Sequence, residues 1–167
     1  MVTLELMSDN LTIALNEIIK NQKLAKYLYY DVDNPLSKPD LKLPAKQLIK
    51  NKVFPYPFDP VATIDDCTEL RVYYPETVFD GSGAVGYTKL NFDIVVAKSL
   101  WLVNDGKPAV RPYMILDELK KIFESESIST LSRLRFTNFI HLYVNTKFDA
   151  IRAEAELTLF GDNSIGH

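Results

Sequence analysis

Gly81, Gly83 and Gly86 stand at the G-x-G-x-x-G spacing of a dinucleotide-binding loop. That chemistry needs the glycines after a strand and at the opening of a helix, whose N-terminus then meets the pyrophosphate. Here an alternating strand pattern follows from Tyr87. The glycines therefore read as turn positions with positive φ, and no cofactor is expected. Histidine occurs at 141, inside a strand pattern, and at 167, the last residue. Neither has a Cys, His or carboxylate at zinc-ligand spacing, so no metal site is expected. Carboxylates pair at Asp31/Asp33, Asp65/Asp66 and Glu154/Glu156. The first pair starts like a calcium loop, but Pro35 follows and the turn glycine and closing glutamate are missing. Glu154 and Glu156 share a strand face as a glycosidase pair would, and the same spacing describes a solvated sheet face, which is the simpler reading. Cys67 is a lone cysteine without an adjacent base. No nucleophile-elbow motif is present. No catalytic residue is assigned, and the chain is expected not to be an enzyme.

Aromatic residues form the positive signal. Phe, Tyr and Trp are the side chains that protein interfaces favour. Most of them should fill the core. Trp101 beside a turn, and Phe54, Tyr56 and Phe58 between prolines, are the candidate intersubunit anchors. An open sheet edge offers a second route to self-association.

These residues sit in a chain of 167 residues, the size of one domain, expected to span 1–167. Apolar residues make up 47% and charged residues 25%, which excludes overall disorder. The net charge is −3 and no Lys/Arg block exists, which argues against tight DNA wrapping and leaves open an acidic or neutral surface facing DNA loosely. Glu5 and Asp9 near the start and the lack of a basic beginning argue against a signal peptide. No apolar run approaches the ~20 residues of a membrane helix. A soluble cytoplasmic protein with no membrane partner is the expectation.

The elements that must position these side chains follow from periodicity. Ser8, Asp9 and Asn10 are expected N-caps for a helix whose stripe is Leu11, Leu15, Ile18 and Ile19. Asn21 is a plausible stop, and Leu24, Tyr27 and Leu28 predict a second helical piece. Residues 31–60 hold six of the nine prolines, which block helix interiors and central strands. This stretch is read as an ordered, extended arm packing on its own core or on a neighbour, with a short helix starting at Pro44. Glu69–Tyr74 and Tyr87–Ala97 alternate as strands around a turn at Asp80–Gly83. Asn104-Asp105-Gly106 signals another turn. Tyr113–Phe123 returns to helical period. Leu134–Val144 and Ile151–Leu159 close the chain as strands. The fold class is α+β, a mostly antiparallel sheet with helices packed on one face.

This order of elements resembles that of the tail-terminator and related neck proteins of tailed bacteriophages. The stretches that carry the resemblance as sequence are Leu100-Trp101-Leu102-Val103-Asn104-Asp105-Gly106, Arg111-Pro112-Tyr113 and His141-Leu142-Tyr143-Val144-Asn145-Thr146-Lys147-Phe148-Asp149. The Pro-rich residues 31–60 depart from a minimal terminator. The resemblance implies a structural virion protein that is present in the host cytoplasm during assembly. It implies a homohexameric ring that caps the tail tube and contacts the tube protein and a neck or connector protein. Asp93, Glu154 and Glu156 would then line an acidic lumen along which DNA slides without tight binding. The alternatives are another neck component, such as a head-completion or connector-adaptor protein, or a small-ligand or enzymatic domain on the same scaffold.

Overall fold

The computed structural model describes residues 1–63, 65–124 and 134–161; His167 lies outside the described residues. Helix α1 spans Leu4–Lys20. Thr3 caps it, its hydroxyl accepting the Leu6 N–H at 3.2 Å. The expected caps Ser8, Asp9 and Asn10 are thus a correction: they lie inside the helix. The chain entry is pinned earlier, where the Val2 N–H donates to the Gly83 carbonyl at 2.8 Å and the Val2 side chain is buried. Asn21 ends α1 and starts α2, Gln22–Tyr29, by accepting the Leu24 N–H at 2.9 Å.

Residues 31–60 fold back on their own domain. They form a 3-10 turn at Pro35–Ser37, helix α3 at Pro44–Leu48 and strand β1 at Val53–Phe54. Leu41, Leu48 and Val53 are buried in the main core. The expected extended arm is corrected to that extent. Its prolines punctuate a packed segment, and Lys50, with φ of 63°, turns the chain into β1.

The sheet has the order β1-β2-β4-β8-β7, with β2 at Thr68–Tyr73, β4 at Val85–Ala97, β7 at Arg135–Tyr143 and β8 at Phe148–Phe160. Strand β3, Thr77–Phe79, also pairs with β4, beyond the end of β2. Every pair is antiparallel except β1–β2. A separate hairpin joins β5, Leu102–Asn104, to β6, Pro108–Val110. It turns at Gly106, whose φ of 91° suits glycine. Helix α4 follows at Arg111–Glu124.

Register explains the two faces. Leu90, Phe92 and Ile94 pair with Ala155, Ala153 and Ile151, and all six are buried. Phe92 meets Phe123 of α4 with ring centres 5.3 Å apart. The small alanines of β8 leave room for these larger neighbours to interdigitate. Between them Asn91, Asp93, Arg152 and Glu154 lie on the opposite face.

Tyr27, Tyr73 and Tyr74 link this packing to pH. Burial raises all three phenols, Tyr74 to about 12, and the Asp93 carboxylate adds to the effect at Tyr73. A raised folded value favours the neutral phenol. The stability it contributes is complete below the ordinary tyrosine value of 10.0 and is lost as pH rises through the folded value. Stability is therefore expected to fall with pH above 10. Tyr74→Phe should flatten that fall, as read from urea melts at pH 9 to 12. An unchanged slope would show that Tyr74 is not one of the groups responsible.

Candidate functional site

The helix-free face of the sheet carries the charges that sequence reading singled out. At its centre Asp93 of β4 accepts from Arg152 of β8, 2.7 Å to Nε and 2.9 Å to Nη2. The Tyr73 hydroxyl donates to Asp93 at 2.7 Å and accepts from Arg152 Nη2 at 2.8 Å. The bond to Asp93 raises Arg152 above the ordinary guanidinium value. Asp93 is only 5% exposed. Its expected place in an acidic lumen is corrected, because it is buried and neutralised. Glu154 is held by Lys89 at 3.2 Å and Glu156 by Arg135 at 2.8 Å. The face is a balanced mosaic in which every acid of the expected trio has a cation.

Beside this triad lies an open cleft of about 640 Å³, bordered by Glu76, Val78, Tyr87, Asn91, Arg152 and Glu156. Both carboxylate oxygens of Asp93 accept from Arg152. Cys67 lies half-buried, and burial together with Glu69 pushes its thiol up to about 12, which keeps it from acting as a thiolate. His141 Nε2 faces Asp149 Oδ2 at 3.3 Å, and its ring stacks on Trp101 at 5.6 Å. Gly81 and Gly83 lie in the β3–β4 turn and Gly86 is the second residue of β4; Gly83 has φ 68°, and the expected positive φ is corrected for Gly81 and Gly86. Asp31 is bonded to Lys52 at 2.5 Å and to the Thr68 N–H at 3.2 Å. Among the described residues no group of three or more His, Cys, Asp or Glu could hold a metal ion.

The four aromatic anchor candidates divide. Arg71 of β2 forms an ion pair with Glu69. Its guanidinium lies 3.7 Å from the centre of the Phe54 ring and 5.3 and 5.4 Å from those of Tyr56 and Phe58. Phe58 also meets Phe148 at 5.4 Å. Phe54 and Phe58 therefore hold residues 53–58 onto the sheet, and cation–π attraction to a desolvated arginine supports the contact. Tyr56, 51% exposed, still points outward. Trp101 is half-buried against His141.

Further exposed apolar side chains lie on the sheet edges and near Trp101. Phe139 and Tyr143 are exposed on β7, and Leu102 and Tyr113 are exposed on the elements that flank Trp101. Val78, Phe79 and Tyr87 are exposed at the β3–β4 hairpin. The strand character of β7 was legible in the sequence. Its position at the sheet edge was not, because strand order depends on non-local pairing.

The family model of YomW matches residues 21–156, from the cap between α1 and α2 to Glu156 in β8. The chain belongs to the YomW family. No curated protein matches the chain. The part matched by the YomW model contains the Asp93–Arg152–Tyr73 triad, the Arg71 aromatic cluster, Arg111 and all of β7.

Proposed function

We propose that this YomW-family protein is a structural virion protein of a tailed phage, a tail terminator. It forms a homohexameric ring at the head-proximal end of the tail tube and joins the tube to the neck. The reading is supported most by the sheet edges. Opposite ends of one sheet carry exposed Phe139 and Tyr143 on β7, and Val78 and Phe79 on β3. Rows of exposed apolar side chains along open strands are surfaces for protein contact. A ring closes when such a contact, between two different surfaces, repeats through a rotation that returns to its start. The balanced charge of the helix-free face fits a surface past which DNA slides, because pairing each acid with a cation leaves no basic track to grip phosphates.

Particles of a phage encoding this chain, labelled with an antibody against it, should show a single focus at the junction of head and tail. Quantitative mass spectrometry should give six copies per particle. Absence from finished particles would overturn the reading. A focus on the capsid side of the neck would move the chain to the head-completion or adaptor ring.

A further inference from the structure

The sheet is bounded by β7 on one side and, on the other side of β4, by β1 beyond β2 and by β3 past the end of β2. On one side β7 runs nine residues, with β8 on one flank and no strand on the other among the described residues. On the other side β3 pairs only with β4. Natural edge strands are usually blunted by lysine or proline. Strand β7, Arg-Phe-Thr-Asn-Phe-Ile-His-Leu-Tyr, contains neither. Its one blunting feature is the bulge between Phe136 and Asn138, which leaves Asn138–Tyr143 in regular register.

The two edges are complementary in charge. Strand β7 carries Arg135 and His141 and no carboxylate. The ammonium groups of Lys98 and Lys120 lie 5.3 and 5.8 Å from the ring centres of Tyr143 and Phe139. Residues 75–88, which include β3 and its turn, contain Glu76 and Asp80 and no Lys or Arg. Each of these cations also has an acid on its own chain: Arg135 has Glu156 at 2.8 Å, Lys98 has Asp149 at 3.9 Å and Lys120 has Glu124 at 3.6 Å. A β7–β7 contact would double the cations along the seam, while a β3 partner brings Glu76 and Asp80 and no Lys or Arg.

Strand direction agrees. β3 runs antiparallel to β4, β4 to β8, and β8 to β7. It follows that β7 runs with β4 and against β3. Copies related by a rotation that preserves strand direction would bring β7 of one beside β3 of the next as an antiparallel pair. Thr77–Phe79 pairs with Gly86–Thr88, which lie opposite Leu157–Leu159, one step past the Arg135–Glu156 pair that starts β7. The two strands come level when the shared sheet is tilted to the ring axis, as strands are in closed barrels.

We infer that β7 of one copy pairs antiparallel with β3 of the next, so that a continuous intersubunit sheet closes the ring. This rests on the self-assembly reading above and names the two surfaces that it needs. The backbone groups of β7 and β3 gain partners, while Phe139 and Val78 leave water.

The test uses the full chain with Cys67→Ser and one added cysteine, Val78→Cys or Asn138→Cys. Both positions lie on the helix-free face, by their pairing with Tyr87 and Glu154. A short bis-maleimide added to the mixture under assembling conditions should join the two variants. Either variant alone should give little product, and the chain carrying both cysteines should give a ladder ending at the ring's copy number. In a separate measurement Glu76→Lys should weaken assembly, more at low salt than at high. Cross-linking of Asn138→Cys alone as efficient as the mixture would overturn the inference in favour of a two-fold β7–β7 contact. Rings that form without any cross-link would overturn it and leave the assembly reading standing. A chain monomeric at every concentration and in finished particles would overturn both.

Discussion

Arg111→Met is expected to cost about 4 kcal/mol of folding free energy, a large share of the 5–15 kcal/mol that holds a typical domain together. Arg111 is the largest fully buried side chain, at 0% exposure. Its guanidinium donates to four backbone carbonyls: Nε to Leu100 at 2.8 Å, Nη1 to Tyr27 at 2.7 Å and to Tyr30 at 3.0 Å, and Nη2 to Val32. Tyr27 and Tyr30 lie at the C-terminal end of α2, where the helix dipole favours a cation. Burial lowers the Arg111 value and works against the charge, while Asp31, Tyr27, Asp105 and Asp33 oppose that effect from a distance. No carboxylate forms an ion pair with it among the described residues, so backbone oxygens do the solvating. Methionine fills much of the volume but leaves all four carbonyls without this donor. Unsatisfied buried acceptors cost far more than the net value of a bond. Arg111→Lys keeps the charge and one donor direction, and should fall between wild type and Arg111→Met, because an ammonium cannot reproduce the planar fork. Urea denaturation of the three proteins checks this. A loss below about 1 kcal/mol for Arg111→Met would mean that water replaces the fork.

Arg152→Ala is expected to cost about 3 kcal/mol, because it strands a buried carboxylate. Asp93 would keep only the Tyr73 hydroxyl as donor. The reverse change, Asp93→Ala, should cost less, since the Arg152 side chain is 29% exposed and can turn toward water. The double variant Asp93→Leu/Arg152→Met should recover most of the loss, as apolar replacement of buried ion pairs often does. A double-mutant cycle measures the coupling directly. Additive effects would show that the three groups do not act as a unit. The same cycle bears on the proposed ring. If the triad only shapes the sheet, the double variant should still assemble.

Tyr56 and Phe54 show why the aromatic signal was only half legible. Both sit between prolines in a segment whose composition marks it as ordered. Only the parallel pairing of Val53 with Leu70 and Phe54 with Arg71 turns Val53 into the core, sets Phe54 under the Arg71 guanidinium and leaves Tyr56 exposed. A two-residue strand has no periodicity to read, and its partner lies more than ten residues along the chain. Asp93 failed as a lumen residue for a related reason. Alternation places it on the polar face, but alternation carries no information on what lies across the sheet from it. There Arg152 and Tyr73 enclose it.

The local pattern was enough wherever the code is local. Alternation in β4 and β8, glycine at the Gly83 and Gly106 turns, proline at the start of α3 and helical spacing in α4 each constrain the backbone through near neighbours, and the structure has all of them. Strand order, the inward fold of residues 31–60, the burial of Arg111 and the edges at β7 and β3 come from contacts between distant residues. Arg111 shows the difference most plainly. In the sequence it is one cation before a proline, and only tertiary packing brings three carbonyls from residues 27–32 and that of Leu100 around it. A side chain's type states what it can bond to, while the free energy of burying it depends on which groups the folded chain sets beside it.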